Sequence, residues 1–298
     1  MNAARPYDRI AVLGAGTMGR GIAIAALRAG IDVNLVDVSA TTLRDAQDRI
    51  TGYLARHEPA DGADPRPGRL RGGSVLEDAV SDVGAVIEAV PEILPLKRDT
   101  FRRLAAAPAD ALLASNTSTM SIGVLAEACG NSPRVVGMHF FNPAHRMPLV
   151  EVIVAPTTSP ASKDAAVALA RALGKEPVVV RDVPGFVTSR LGLLLGTEAM
   201  RMVEEGVASA ADIDTAMKLG YRHPMGPLEL ADLVGLDARL NNLRSMHARS
   251  GNPAYEPPAI LTTLVGQGRL GRKSRHGFFD YDDDGHMITA PGSEVGAG

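Results

Sequence analysis

The stretch Gly14-Ala-Gly16-Thr17-Met18-Gly19 limits what this chain can fold into more than any other. An apolar run from Arg9 to Leu13 leads into it, and a helix-forming run from Arg20 to Leu27 leads out toward Gly30. A second apolar run then starts at Asp32 and closes on Asp37. A glycine triplet alone is a weak signal. Set between a strand and a helix, with an acid ending the next strand roughly 20 residues on, it marks a turn that cradles a dinucleotide pyrophosphate. Gly14 permits the tight turn, Gly16 lets the backbone approach phosphate, and Gly19 lets helix and strand pack closely. Thr17 and Met18 open the helix, whose free N–H groups and dipole favour an anion. Asp37 suits an adenosine ribose. A 2′-phosphate there would meet a carboxylate, and Val38, Ser39 and Ala40 offer no cation. The expected cofactor is NAD rather than NADP.

After a helix expected over Ala40 to Arg56, the stretch from Glu58 to Gly73 is too rich in Pro and Gly for regular structure. Its arginines (Arg66, Arg69 and Arg71, with Arg56 before them) read as a solvated loop face or a landing site for phosphate. Strands follow at Ala85 to Val90 and Ala111 to Ala114, separated by a helix from Leu96 to about Ala106. An open parallel sheet binds its ligand beyond the carboxyl ends of its strands, where Asp37, Glu92, Asn116, Ser118 and His139 all fall. A helix from Ala161 to Leu173 and a strand from Pro177 to Arg181 complete an α/β, Rossmann-type doubly wound domain over residues 1–183.

Residues 184–298 read as an all-α domain. In a long helix from Phe186 to Gly206, Val187, Leu191, Leu194, Leu195 and Met202 recur at helical spacing. Further helices start at Ala210 and Pro227 and continue to about Gly266. The stripes are core or dimer interface, and so much apolar surface on so small a domain points to a homodimer. His223, in a Pro- and Gly-rich loop, reads as structural. The spacing of His, Cys and acids suggests no metal site. The tail from Asp280 is polar and expected to fray.

Chemistry is expected at His139-Phe-Phe-Asn142-Pro143. The flanking runs, Arg134 to Met138 and Leu149 to Val154, read as strands joined by a Pro- and Asn-rich connection. Positions 139 and 151 are equidistant from 145, so a simple reversal there sets His139 opposite Glu151, with Cβ atoms ~5 Å apart. The carboxylate would then fix the imidazole tautomer and favour the imidazolium, as a general base at neutral pH requires. The plain alternative is a half-buried His beside an ordinary strand Glu, and spacing alone does not separate the two.

Composition bounds the partners. With 31 Lys+Arg against 34 Asp+Glu, the net charge of −3 implies neither nucleic acid nor a membrane surface. The single cysteine, Cys129, excludes an internal disulfide and suits a cytoplasmic location. No apolar run approaches the ~20 residues of a membrane span. No charged leader precedes a cleavage site.

The pieces Gly14–Gly19, Glu88-Ala-Val-Pro-Glu92, Ala114-Ser-Asn-Thr-Ser118, His139–Pro143, Leu149–Val152, Pro184-Gly-Phe186, Val203–Gly206, His223-Pro-Met-Gly-Pro227 and Gly271-Arg-Lys273 resemble the L-3-hydroxyacyl-CoA dehydrogenases, particularly the short bacterial 3-hydroxybutyryl-CoA type. They span nearly the whole chain in the family's order. The resemblance implies a catalytic pair at His139 and Glu151, Ser118 on the substrate, Asn142 as a further site residue, and cofactor contacts from Asp37, Glu92 and Lys97. Asn116 joins the expected cofactor set. The implied reaction is NAD-dependent interconversion of a short L-3-hydroxyacyl-CoA and its 3-keto form.

Three departures stand out. The family's helical hairpin, implicated in acyl-CoA binding, is reduced to the Pro/Gly-rich break. Pro148 replaces a common Lys. Ser189 stands where the family typically has Asn, which makes it a substrate-binding candidate. The rival readings are a related dehydrogenase of a free hydroxy acid, of the gulonate or carnitine type, and an NAD-binding regulator without catalysis.

Overall fold

The computed structural model describes residues 6–57, 68–130 and 132–288. Its sheet comprises β1 (Arg9–Leu13), β2 (Asp32–Val36), β3 (Leu70–Gly73), β4 (Ala85–Glu88), β5 (Leu112–Ser115), β6 (Val135–Phe140), β7 (Leu149–Val154) and β8 (Glu176–Arg181). Side by side they run β3-β2-β1-β4-β5-β6-β7-β8, and every pairing is parallel except β6 with β7. The chain order reverses at β1, which lies between β2 and β4, so a ligand crevice opens there beyond the strand ends.

Helices cover both faces, and strand alternation decides which side chain meets which layer. Ile10 and Val12 join the core under α1 (Thr17–Arg28), α2 (Ala40–Arg56) and α6 (Pro160–Ala172). Ala11 and Leu13 join the core under α3 (Leu76–Val80), α4 (Leu94–Leu104) and α5 (Ile122–Ala128). Burial on both sides explains why the central strands are apolar throughout rather than alternating.

One stretch expected to be irregular is not. Leu70 to Gly73 pair in register with Val33 to Val36, making β3 the edge strand. These residues have little intrinsic strand preference, but the outer edge of β2 offers backbone donors and acceptors that need partners. Asp32 secures the join, accepting from Arg69 N–H at 2.8 Å and from Arg69 Nη2 at 3.1 Å. Arg69 is thereby committed to a carboxylate rather than left for phosphate. Residues 58–67, Arg66 among them, lie outside the described residues.

Residues through Phe186 form one compact unit and those from Val187 another. The second holds α7 (Thr188–Glu204), α8 (Ala210–Gly220), α9 (Pro227–Val234), α10 (Leu236–Ser250) and α11 (Ala259–Gly266). Its core gathers Leu193 and Met200 of α7 with Ile213, Leu228, Leu240 and Leu243. Buried Asp214 accepts from Leu228 N–H at 2.9 Å and Glu229 N–H at 2.8 Å, capping α9 from a neighbouring helix. The tail expected to fray from Asp280 is anchored at Tyr281, and its residues 289–298 lie outside the described residues. Asp232 accepts from Phe278 N–H, Phe279 N–H and the Tyr281 hydroxyl, and Tyr281 is buried. Among the described residues, no helix is long and apolar enough to cross a membrane.

Candidate active site

The turn after β1 has the form a dinucleotide requires. Gly14 sits at φ 96°, and a Cβ there would lie 2.6 Å from the Ala89 carbonyl oxygen. A Cβ on Gly19 would lie 1.8 Å from the Gly14 carbonyl oxygen, so α1 can approach β1 only without one. At Gly16 a Cβ would meet nothing within 4 Å, which leaves room for a ligand against the backbone. No side chain caps α1 and its first turn carries no acid, so its leading N–H groups suit an anion. Asp37 accepts from Ala15 N–H and Ser39 N–H, each at 2.8 Å, one on each carboxylate oxygen. A carboxylate has about four acceptor positions, so two remain for a ribose diol. These residues fit NAD.

A cleft of about 880 Å³ brings most of the expected residues together. The dinucleotide turn and the end of β2 contribute Gly14, Gly16, Thr17, Met18 and Asp37. The later strand ends and their loops contribute Glu92, Asn116, Ser118, His139 and Asn142. Lys97 and Glu151 stand behind the cleft, both 1% exposed. Gly19 packs within the turn. Ser189 is the second residue of α7, in the other unit.

The β6–β7 register puts His139 directly opposite Glu151, and Nδ1 lies 2.8 Å from Glu151 Oε2. An anionic partner there favours the tautomer with hydrogen on Nδ1, leaving the Nε2 lone pair for proton transfer. His139 is 8% exposed, with the Phe141 ring at 4.6 Å and the Phe186 ring at 6.0 Å between centroids. Apolar neighbours of this kind keep bulk water from the imidazole. Asn116 Oδ1 accepts from Phe140 N–H at 2.9 Å, tying the end of β5 to the strand that carries His139. Lys175, between α6 and β8, donates from Nζ to the Met147 carbonyl oxygen at 2.8 Å, next to Pro148 but outside the lining of the cleft. Burial first, then the charge of Arg28, holds the Lys175 pKa below its usual value. The pKa of His145 is likewise lowered, by burial and by Arg146, Lys175, Arg28 and His57.

Lys97, expected as a cofactor contact, is buried and outside the lining of the cleft. Its ammonium lies 2.7 Å from Glu88 Oε1 and 3.3 Å from Glu92 Oε2, inside the wall of the cleft. Glu88, absent from the expected site, is fully buried. Its signal was an acid at the end of an otherwise apolar strand, which needs a buried cation and finds one in the following helix. Glu92 is where expected, accepting from the Thr117 hydroxyl and from Ser118 N–H. On the surface, Asp282, Asp284 and His286 bring possible ligand atoms within 4.8 Å of one another, but all three are exposed.

A dinucleotide cradle and a buried imidazole–carboxylate pair opening on one cleft define a cofactor-dependent oxidoreductase. The family model for the 3-hydroxyacyl-CoA dehydrogenase NAD-binding domain matches residues 9–183, and that for the C-terminal domain matches residues 185–281. The 3-hydroxybutyryl-CoA dehydrogenase of Bradyrhizobium diazoefficiens is 40% identical over 279 residues, covering 92% of this chain and 95% of its own. The crystal structure of (S)-3-hydroxybutyryl-CoA dehydrogenase from Ralstonia eutropha superposes with a TM-score of 0.86 at 34% identity, covering 93% of this chain and all of that one (100%). FadB2 of M. tuberculosis gives 0.85 at 38% identity, with 93% and 99% covered. The chain belongs to the 3-hydroxyacyl-CoA dehydrogenase family and is an NAD-dependent oxidoreductase.

Proposed function

We propose that the protein interconverts a short-chain L-3-hydroxyacyl-CoA and the corresponding 3-ketoacyl-CoA, with His139 as general base in oxidation and general acid in reduction. The observation that carries this reading is the 2.8 Å His139–Glu151 contact in the wall of the cleft that also holds the dinucleotide turn. NAD supplies the hydride acceptor, and NADH the donor. His139 removes the proton of the 3-hydroxyl through Nε2, and in reduction returns it to the developing alkoxide. Glu151 compensates the imidazolium charge between the two events. Ser118 hydrogen-bonds the reacting oxygen, Asn142 completes the catalytic set, and Ser189 contributes to substrate binding. Asp37 holds the ribose, while Glu92 and Asn116 line the cofactor's path with Lys97 behind them. Residues 1–183 serve as the NAD domain and 184–298 as the substrate and dimerisation domain of a cytoplasmic homodimer.

The test is loss of NADH absorbance with acetoacetyl-CoA, run against gulonate or carnitine with NAD in the other direction. Turnover of the thioester alone is expected. His139→Ala should leave NADH affinity nearly intact and lower kcat by ~10²–10⁴, the usual range for a general base. A loss below tenfold would remove His139 from the mechanism. Glu151→Gln should lower turnover, because an amide no longer compensates the imidazolium charge. One feature of the sequence favours the free hydroxy acid instead: between the helix after the second strand and the strand at Ala85, where the family commonly has its acyl-CoA hairpin, the chain carries a Pro- and Gly-rich stretch. Turnover of gulonate or carnitine without that of acetoacetyl-CoA would decide for it.

A further inference from the structure

Glu88 ends β4 with its side chain fully buried and outside the lining of the cleft. Its Oε1 accepts from Val90 N–H at 2.8 Å and meets Lys97 Nζ at 2.7 Å, while Oε2 accepts from Ser115 Oγ at 2.7 Å. The Lys97 ammonium reaches on to Glu92 Oε2 at 3.3 Å, and also donates to the Val90 carbonyl oxygen at 3.2 Å. Glu92 turns its other oxygen to the Thr117 hydroxyl and to Ser118 N–H at 3.1 Å. Of the three charged groups, Glu92 alone lines the cleft.

Burying an ion pair this deeply is costly, and replacing one with apolar groups of similar volume is often neutral or favourable. Stability is therefore a poor reason for Glu88 to be an acid. The other end of the chain of contacts supplies a better one. The geometry points to Glu88 as a positioning residue: through Lys97 it fixes the Glu92 carboxylate, and with it the backbone of Ser118. The inference rests on the role proposed for Ser118 at the reacting oxygen.

The physical step is a competition for one ammonium. With Glu88 ionised, Lys97 is shared between two carboxylates and held by the Val90 carbonyl, so it cannot follow Glu92 into the cleft. With a neutral group at position 88, Glu92 is the remaining carboxylate in contact with that ammonium. The pair is then free to move toward water, and Glu92 leaves the Ser118 N–H. A displacement of about 1 Å at a reacting centre costs on the order of 10²-fold in rate.

The experiment uses the full chain with acetoacetyl-CoA and NADH. Glu88→Gln is isosteric and should lower kcat/KM by about 10- to 100-fold. Glu92→Gln should lower it too, and the two losses should not multiply, because both act on the same carboxylate. The Glu88→Gln plus Lys97→Met variant leaves no uncompensated buried charge, so it should fold with a melting temperature close to the parent's yet keep the low kcat/KM. That variant decides the matter if Glu88→Gln alone does not fold. The inference is overturned by parent-like constants in Glu88→Gln, by multiplying losses with Glu92→Gln, or by full activity in the doubly neutral variant. Ser118→Ala, measured alongside, tests the proposed role of Ser118 by itself. If it is silent, that role fails, while Glu88 is still judged by its coupling to Glu92.

Discussion

Asp37 has two tasks, and its two oxygens divide them. Each accepts one backbone N–H, from Ala15 and from Ser39, and this closes the end of β2 onto the turn after β1. The remaining acceptor positions face the cleft, where a ribose diol would donate. The unmodified protein should therefore prefer NADH over NADPH. Asp37→Ala should narrow the gap, mainly by weakening NADH, since it removes the acceptor and loosens the turn together. KM values for both cofactors measure this, and equal use of the two by the parent protein would contradict the assignment. At this scale some of the site was legible in the sequence. The His139–Glu151 register followed from position numbers, because an antiparallel pair turns equal distances from the reversal into contacts. Lys97 was not legible in the same way. Its place depends on how α4 lies over the end of β4, and no local period encodes that. Glu88 carried a signal, an acid ending an apolar strand, but which cation meets it is set by the same packing.

At the scale of elements, context decides what pattern leaves open. Leu70-Arg-Gly-Gly73 reads as loop by composition, yet it becomes β3 because β2 offers an edge. The helical period of α7 was plain, but a period does not say which side faces the core. Leu193, Gly196, Thr197 and Met200 are buried, whereas Val187, Leu191 and Leu195 stay exposed. The β3 edge yields a pH prediction through Asp32. Burial alone would raise its pKa. Hydrogen bonds from the Arg69 backbone and side chain and from Arg9, with the charge of Arg69, outweigh that and hold it below the ordinary carboxylate value. A depressed native pKa stabilises the fold above the unfolded value of about 4 and ceases to do so as pH falls through the native one. Asp32→Asn should therefore destabilise the protein at pH 7 by on the order of 1 kcal/mol. The difference should close in acid, once the parent carboxyl is itself protonated. Urea midpoints at several pH values would read this, and a gap that persists unchanged in strong acid would detach Asp32 from the acid limb.

At the scale of the whole molecule, the helical unit exposes more apolar surface than its own core explains. Val187, Leu191 and Leu195 are 42%, 63% and 36% exposed and lie four residues apart, on one side of α7 and its lead-in. Leu219 and Tyr221, around the end of α8, are 78% and 76% exposed, and Leu233 and Val234 in α9 are 47% and 48% exposed. Single exposed apolar residues are ordinary, but a stripe along a helix with further large side chains in the same unit usually marks a partner surface. A second copy of the chain is the simplest partner, because a two-fold axis lets one patch satisfy both subunits. The protein should therefore scatter light as a dimer at micromolar concentration. Leu191→Glu combined with Leu195→Glu should shift it to monomer while the helical signal in circular dichroism is retained, since neither residue belongs to the buried core. A parent protein that is monomeric would end the idea. A double variant that remains dimeric would move the interface off α7, toward the exposed ends of α8 and α9.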